Sequence, residues 1–253
     1  MKKLLAAALV LALAGCATPA GCATPAPAPT ESTDALSGSV TVFAAASLAG
    51  AFHEIADAFT AQHPGVEIVF SFGGSSGLAT QIIEGAPADV FAAASPATMA
   101  TVIAAGVASD PSVFATNVLQ IAVPAGNAAG VTGLADFANP ELLIAVCAVE
   151  VPCGAATEKL FAATGIAPEI DSYEEDVKAV LSKVEFGEVD AGLVYVTDVL
   201  AAGDGVEGIE VDSPPVDYPL VALTDSAATA AFIAFVLSAT GQSILEAAGF
   251  GAP

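Results

Sequence analysis

From residue 40 onward the chain alternates short apolar runs with segments whose apolar residues recur at helical spacing. The first run, 40–44, has the length of a strand. The apolar residues that follow it lie three or four positions apart: Leu48, Phe52, Ile55, Ala56 and Phe59. Such alternation is typical of parallel sheets covered by helices on both faces. The sequence therefore predicts an α/β protein.

The same pattern continues towards the C-terminus. We predict further strands at 66–70, 88–93, 118–123, 142–148 and 192–196, and further helices at 78–84, 99–106, 155–163, 176–186 and 227–248, the last broken near 240–241. Two apolar, extended segments, 116–124 and 218–224, have the character of crossings between lobes. We therefore expect lobe I at 38–116 and 224–253 and lobe II at 117–223, with a central cleft and a two-strand hinge.

The first residues have the features of a secretory signal. Lys2 and Lys3 precede an apolar run at 4–14, which is shorter than the ~20 residues of a membrane-spanning helix. The run ends in Leu-Ala-Gly-Cys16, which resembles the bacterial lipobox, whose cysteine is lipidated. We expect a lipoprotein signal peptide at 1–15, a lipid anchor on Cys16 and an Ala/Pro-rich tether at 16–37. The folded part would then lie outside the cytoplasm, anchored to the cell membrane. An ordinary signal peptide with an incidental cysteine is the alternative.

The charge balance excludes two classes of partner. The chain has 28 Asp and Glu against five Lys and Arg, a net charge of −23. Without Lys2 and Lys3 the remaining cations are Lys159, Lys178 and Lys183. Nucleic-acid binding and docking on anionic lipid both need clustered cations, so neither is expected.

Small or polar residues stand where four of the predicted helices begin, at 45–47, 74–76, 152–154 and 175–177. The unpaired N–H groups and the dipole of a helix N-terminus attract anions. In open parallel sheets such turns gather at the carboxyl ends of the strands, where ligands bind. A single Ser or Asp at a helix start is more often a cap. Four such starts together indicate an anion site.

Three segments carry a more specific resemblance: Thr-Val-Phe-Ala-Ala-Ala-Ser-Leu at 41–48, Ser-Phe-Gly-Gly-Ser-Ser-Gly-Leu-Ala at 71–79 and Gly-Ala-Pro-Ala-Asp-Val-Phe at 85–91. With 147–154, 174–177 and 192–195, they resemble the periplasmic molybdate-binding proteins of ABC importers over 40–250. The resemblance implies the type II periplasmic-binding-protein fold, in which two lobes close on a tetrahedral oxyanion.

The resemblance also implies a ligand set. The hydroxyl and N–H groups of Ser47 and Ser75, the backbone N–H groups of Cys153 and Val177 and the hydroxyl of Tyr195 would hold the oxyanion. Molybdenum would enter only as bound molybdate, with tungstate as a second ligand and no other cofactor. The implied partners of this monomer are a membrane permease and a separate ATPase subunit, because the chain has no Walker A motif.

This chemistry suits the composition. Molybdate and tungstate are fully ionised dianions near neutral pH, so a site for them needs only hydrogen-bond donors. A strongly acidic chain without arginine must supply these as N–H dipoles and hydroxyls in a closed cleft. Asp176 is expected to be a solvated carboxylate at a helix N-terminus. Sulfate also fits a donor-only site, and only the size of the cavity separates it from molybdate.

Two readings of other classes are weighed against this one. Gly73–Gly77 matches the G-x-S-x-G motif of serine hydrolases, with Ser75 as nucleophile. That mechanism needs a histidine after the serine, whereas His53 and His63 both precede it, so we expect a protein that is not an enzyme. The third reading is a passive adhesive or structural lipoprotein.

Cys147 and Cys153 lack the spacing of a zinc site. In an oxidising compartment they are expected to form a local disulfide that braces the turn carrying the Cys153 N–H.

Overall fold

The computed structural model describes residues 36–253. The predicted signal peptide, the anchor on Cys16 and the tether up to residue 35 lie outside the described residues. The strands are β1 (Ser37–Ala45), β2 (Gly65–Gly73), β3 (Val90–Ala92), β4 (Ser112–Asn117), β5 (Leu119–Pro124), β6 (Ile144–Cys147), β7 (Ser172–Glu174), β8 (Ala191–Tyr195), β9 (Val206–Glu210) and β10 (Val216–Ala222). The helices are α1 (Ala49–Gln62), α2 (Ser75–Ile83), α3 (Pro96–Ala104), α4 (Pro152–Thr164), α5 (Val177–Glu185), α6 (Val196–Ala202), α7 (Ala227–Val236) and α8 (Ala239–Ala247). Short 3-10 helices lie at Ala46–Leu48, Leu134–Ala138 and Gly203–Gly205.

The strands form two five-stranded sheets of equivalent order, β2-β1-β3-β10-β4 and β7-β6-β8-β5-β9. In the first sheet β1 is parallel to β2 and β3, while β10 is antiparallel to β3 and β4. In the second, β6 is parallel to β7 and β8, while β5 is antiparallel to β8 and β9. The predicted α/β class is confirmed, but each sheet is mixed rather than parallel.

Both faces of the central strands of the first sheet are buried, which explains why β1 and β3 are largely apolar. In β1, Val42 packs into a core with Phe52 and Phe232, and the next residue, Phe43, packs on the opposite face with Met99. The second sheet has a core of its own, built from residues such as Ile121, Val180 and Leu193. Each sheet with its helices is therefore one lobe.

The chain crosses between the sheets twice. The first crossing is Val118, between β4 and β5, and lies inside the predicted segment 116–124. The second runs through 211–215, between β9 and β10, and not through 218–224 as predicted. Most of that predicted segment is β10, whose Tyr218 and Leu220 lie buried in the core of the first lobe. The predicted boundary had placed this strand in lobe II.

The last predicted helix is broken at Leu237 and Ser238 rather than at 240–241. The Ser238 hydroxyl caps α8 by accepting from the Gly241 N–H. Gly241 itself lies inside α8, where a Cβ would come within 2.3 Å of the Phe235 carbonyl oxygen, so close packing and not a helix break explains this glycine. Four short elements were not predicted from the sequence: β4, β7, α6 and β9. Within 36–253 no single helix is long and apolar enough to cross a membrane, and α7 with α8 reaches that length only as a pair bent by 55°.

Candidate functional site

A small cavity lies between the two sheets, at the carboxyl ends of the strands. The volume open to the centre of a water-sized sphere is about 10 Å³. Sites for organic ligands of drug size are far larger, about 300–1,000 Å³, so the cavity does not fit a ligand of that kind. Both lobes line the cavity, and all five predicted ligand residues are in the lining: Ala45, Ala46, Ser47, Gly73, Gly74, Ser75, Ala94, Val151, Pro152, Cys153, Asp176, Val177 and Tyr195.

Helices that begin at this cavity leave N–H groups unpaired. The 3-10 helix at Ala46–Leu48, α2 and α4 have no side-chain cap at their N-termini. By contrast, serines cap α3, α7 and α8, and none of these three serines is among the residues that line the cavity. Because the first N–H groups of a helix have no partner within it, the uncapped ends present donors to the cavity. The expectation that these starts form an anion site, and not a set of caps, therefore agrees with the geometry at three of the four.

The fourth start differs. The Asp176 carboxylate caps α5 by accepting from the N–H groups of Lys178 and Ala179, at 2.8 and 3.0 Å. It thus has the capping position expected from the sequence. The Val177 N–H takes no part in that cap, and Val177 lines the cavity.

The start of α4 is held by the Cys147–Cys153 disulfide, which joins the end of β6 to the first turn of the helix. The predicted disulfide is thus present. The next residue must be glycine, because a Cβ at Gly154 would lie 1.9 Å from the Ala148 carbonyl oxygen. The disulfide and this close approach together fix the position of the Cys153 N–H.

The Ser75 hydroxyl is buried, and its oxygen accepts from the Ala94 N–H at 3.0 Å. A hydroxyl that already accepts still has its proton to donate. Since Ser75 lines the cavity, that proton is available to an acceptor inside it.

Ser47 is linked to two residues that the sequence analysis missed. Its hydroxyl lies 2.9 Å from the Tyr218 hydroxyl, which also accepts a long, 3.5 Å contact from the Asn117 amide nitrogen. The Asn117 amide oxygen accepts from the Val118 N–H, and its nitrogen donates to Thr197 at 2.8 Å, so the orientation of the amide is fixed. The Asn117 amide donates to the Tyr218 hydroxyl, and the Tyr218 hydroxyl in turn donates to the Ser47 oxygen. The Ser47 proton is then available to an acceptor in the cavity. Tyr218 lies in an apolar run, and no local pattern marked it.

Tyr195 is 1% exposed, and its hydroxyl makes no hydrogen bond of regular geometry with the described residues, although the Tyr218 hydroxyl lies close enough to interact with it. A buried hydroxyl without a partner costs about 1–3 kcal/mol, so this one indicates a polar ligand in the cavity. Burial raises the pKa of Tyr195 well above its usual value near 10, and it also raises the pKa of Tyr218. Both phenols therefore stay protonated and can act as donors.

No Lys, Arg or His lines the cavity. Behind it, the buried Asp198 carboxylate accepts from the Tyr195 N–H at 3.1 Å and pairs with Lys178 at 2.9 Å. Burial raises the pKa of Asp198, against the opposing effect of the Lys178 charge. Within 36–253 no group of three His, Cys, Asp or Glu residues is arranged to hold a metal ion. The site is thus a set of neutral donors.

The histidines required by the hydrolase reading lie elsewhere. The His53 ring packs edge-on against Phe70 and Phe72, and the His63 ring packs on Phe59. Neither histidine is among the residues that line the cavity with Ser75. The geometry therefore gives Ser75 no histidine base.

Two lobes of this topology, joined by two crossings and enclosing a cavity between them, define a type II periplasmic binding protein. The family profile described as bacterial extracellular solute-binding protein matches residues 40–251, and the chain belongs to this family.

Within this family, the chain is similar to proteins that bind tetrahedral oxyanions. The chain is 43% identical over 222 residues to the molybdate-binding protein ModA of Mycobacterium tuberculosis H37Rv, an alignment that covers 85% of each protein. The periplasmic molybdate-binding protein of Azotobacter vinelandii has the same fold, with a TM-score of 0.74 and 20% identity, covering 85% of this chain and 99% of that one. The sulfate-binding protein SubI of M. tuberculosis also shares the fold, with a TM-score of 0.75 and 19% identity over 84% and 86% of the two chains.

Proposed function

We propose that this protein captures molybdate, and also tungstate, outside the cytoplasm and delivers it to an ABC importer. The observation that carries the proposal is the buried Tyr195 hydroxyl, which makes no hydrogen bond of regular geometry and lines a cavity where uncapped helix starts meet. The 43% identity to a protein named as molybdate-binding supports the choice of ligand. Ser47, Ser75, Cys153, Val177 and Tyr195 are the proposed ligand residues.

The charge state of the ligand follows from the donor set. An ion whose oxygens are all acceptors can use every donor in the cavity, whereas a protonated oxyanion also needs an acceptor for its hydrogen. The one carboxylate residue in the lining, Asp176, accepts from its own helix. Neutral donors suffice because several converge in a closed space, where each bond is stronger than in water.

Sulfate is the second candidate, since it has the same charge and shape and a sulfate-binding protein shares this fold. The two ions differ in size, so the donors of the closed cavity would decide between them by distance.

The membrane anchor and the transporter subunits are proposed from the sequence alone. We infer that the Cys16 lipid anchor holds the protein at the membrane surface, and that the tether lets the monomeric binding domain reach a permease served by a separate ATPase. The protein itself would have no catalytic activity and no further cofactor.

A thermal-shift panel with molybdate, tungstate, sulfate, phosphate and chromate tests the function. We expect the melting temperature to rise with molybdate and tungstate and to change little with phosphate. Stabilisation by sulfate alone would favour the second candidate. Covalent labelling of Ser75 by a fluorophosphonate would instead support a hydrolase.

A further inference from the structure

The two lobes meet beside the cavity at a glycine. A Cβ on Gly74, just before α2, would lie 2.4 Å from the Glu175 carbonyl oxygen and 3.3 Å from a Val151 methyl group, both on the other lobe. A distance of 2.4 Å is far too short for nonbonded carbon and oxygen atoms, and a backbone carbonyl has little freedom to move. The backbone of Gly74, with φ −61° and ψ 124°, is one that any residue can adopt. Space across the cleft, and not conformation, therefore requires glycine here.

A second contact between the lobes lies two residues further along the chain. The Ser76 hydroxyl donates to the Glu150 carbonyl oxygen, on the loop that leads into α4. This loop is firmly held, because the Cys147–Cys153 disulfide spans it and the Ala148 N–H donates to the Glu174 carbonyl oxygen at 2.8 Å. The second lobe thus presents one rigid surface to Gly74 and Ser76.

This contact sets the width of the cavity. Ser75 stands between Gly74 and Ser76, and Val177 follows Glu175 by two residues, so donors from both lobes flank the same point. A side chain that separated Gly74 from Glu175 would also move the Ser75 donors away from the Val177 N–H.

We propose that Gly74 and Ser76 are positioning residues that latch the two lobes together over the bound oxyanion. The latch consists of Gly74 and Ser76 on the first lobe and of Glu150, Val151 and Glu175 on the second. The absent side chain at Gly74 allows closure, and the Ser76 bond to Glu150 slows reopening. This inference rests on the proposed function, since it concerns closure on that ligand.

The chain offers a matched control. Gly77 lies in the same helix, and a Cβ there would meet no atom within 4 Å. Gly74→Ala and Gly77→Ala are the same chemical change, but only the first introduces an atom into the contact between the lobes. When the lobes are apart the Gly74→Ala side chain has room, so we expect this variant to fold normally.

The test uses titration calorimetry with molybdate, together with small-angle scattering before and after the ligand is added. We expect Gly77→Ala to match the wild type, Gly74→Ala to bind at least tenfold more weakly with little compaction, and Ser76→Ala to bind a few-fold more weakly. The melting temperatures without ligand should agree within a few degrees, which separates lost closure from lost folding.

Wild-type affinity and compaction in Gly74→Ala would overturn the latch while leaving the proposed function intact. If the wild type responded to none of the tetrahedral oxyanions, the proposed function and the latch would both be wrong. If Gly77→Ala were weakened as much as Gly74→Ala, the effect would belong to the helix and not to the contact between lobes.

Discussion

The Tyr218 hydroxyl lies 2.9 Å from the Ser47 hydroxyl, so a strand that joins the lobes touches a residue of the cavity directly. Tyr218 is fully buried in β10, and Asn117, at the end of β4, contacts it from the other strand that leads to a crossing. The hydroxyl proposed to hold the ligand is therefore oriented by the two strands that connect to the hinge.

Tyr218→Phe tests this relationship. Without the phenol, Ser47 has no donor behind it and can turn its proton away from the cavity, so we expect the affinity for molybdate to fall several-fold, as for loss of about 1 kcal/mol. Titration calorimetry measures this, with Tyr173→Phe as control because Tyr173 is 65% exposed and does not line the cavity. Equal affinities in the two variants would contradict the donor chain.

Tyr195→Phe should change the stability of the protein and its affinity for molybdate in different ways. Removing a buried hydroxyl that lacks a partner takes away a cost, so the protein without ligand should be as stable as the wild type or more stable, by up to about 1 kcal/mol. Affinity for molybdate should fall by tenfold or more, because a bond to a charged ligand is lost, worth about 1.5–3 kcal/mol. Urea denaturation and calorimetry on the same sample check both. A clear loss of stability would mean that the hydroxyl has a partner in the unliganded protein.

Ser75→Ala and Ser47→Ala should each weaken binding markedly, by about 1.5–3 kcal/mol for a hydrogen bond to a charged group. Ser75→Ala should also reduce stability, because it leaves the buried Ala94 N–H without its partner. Ser95→Ala serves as control, since it removes a cap of α3 outside the cavity and should lower stability by about 1 kcal/mol without changing affinity. Unchanged calorimetric affinity in both cavity variants would remove the assignment of these residues.

Replacing both cysteines of the disulfide with serine should cost about 2 kcal/mol of stability, the loop-closure value for so short a separation. Affinity should fall as well, because the turn that presents the Cys153 N–H loses its constraint. Denaturation and calorimetry of Cys147→Ser/Cys153→Ser measure the two effects. Affinity equal to that of the wild type would show that the turn keeps its shape without the bond.

Stability should fall at alkaline pH. Tyrosines in the unfolded chain lose their protons near pH 10, whereas burial raises the pKa of Tyr195 and Tyr218 in the folded protein. Below that pH both states hold these protons and nothing changes. Above it the unfolded state holds fewer protons, so the free energy of unfolding falls by about 1.4 kcal/mol per pH unit for each phenol. Denaturation curves between pH 8 and 11 test this, and Tyr195→Phe should remove about half of the added slope.

The mixed order of the sheets shows where prediction from local pattern stops. Apolar periodicity marked β1, β2 and most of the helices, because burial of one or both faces of an element sets the spacing of its apolar residues. It could not give the direction of β10, which depends on the side from which the chain re-enters the first sheet. Nor did it reveal β9, whose residues are mostly exposed at a sheet edge and so carry little apolar pattern.

The sequence by itself determined the α/β class, the positions of the four helix starts and the types of donor available, because each depends on residues adjacent in the chain. Only the tertiary structure decided which donors share a cavity, that Tyr218 and Asn117 support Ser47, and that Gly74 faces Glu175 across the cleft. These relationships join residues roughly 70 to 170 positions apart. Contacts at such separations depend on how the two lobes pack against each other. This packing produces no periodic pattern in the sequence of either lobe.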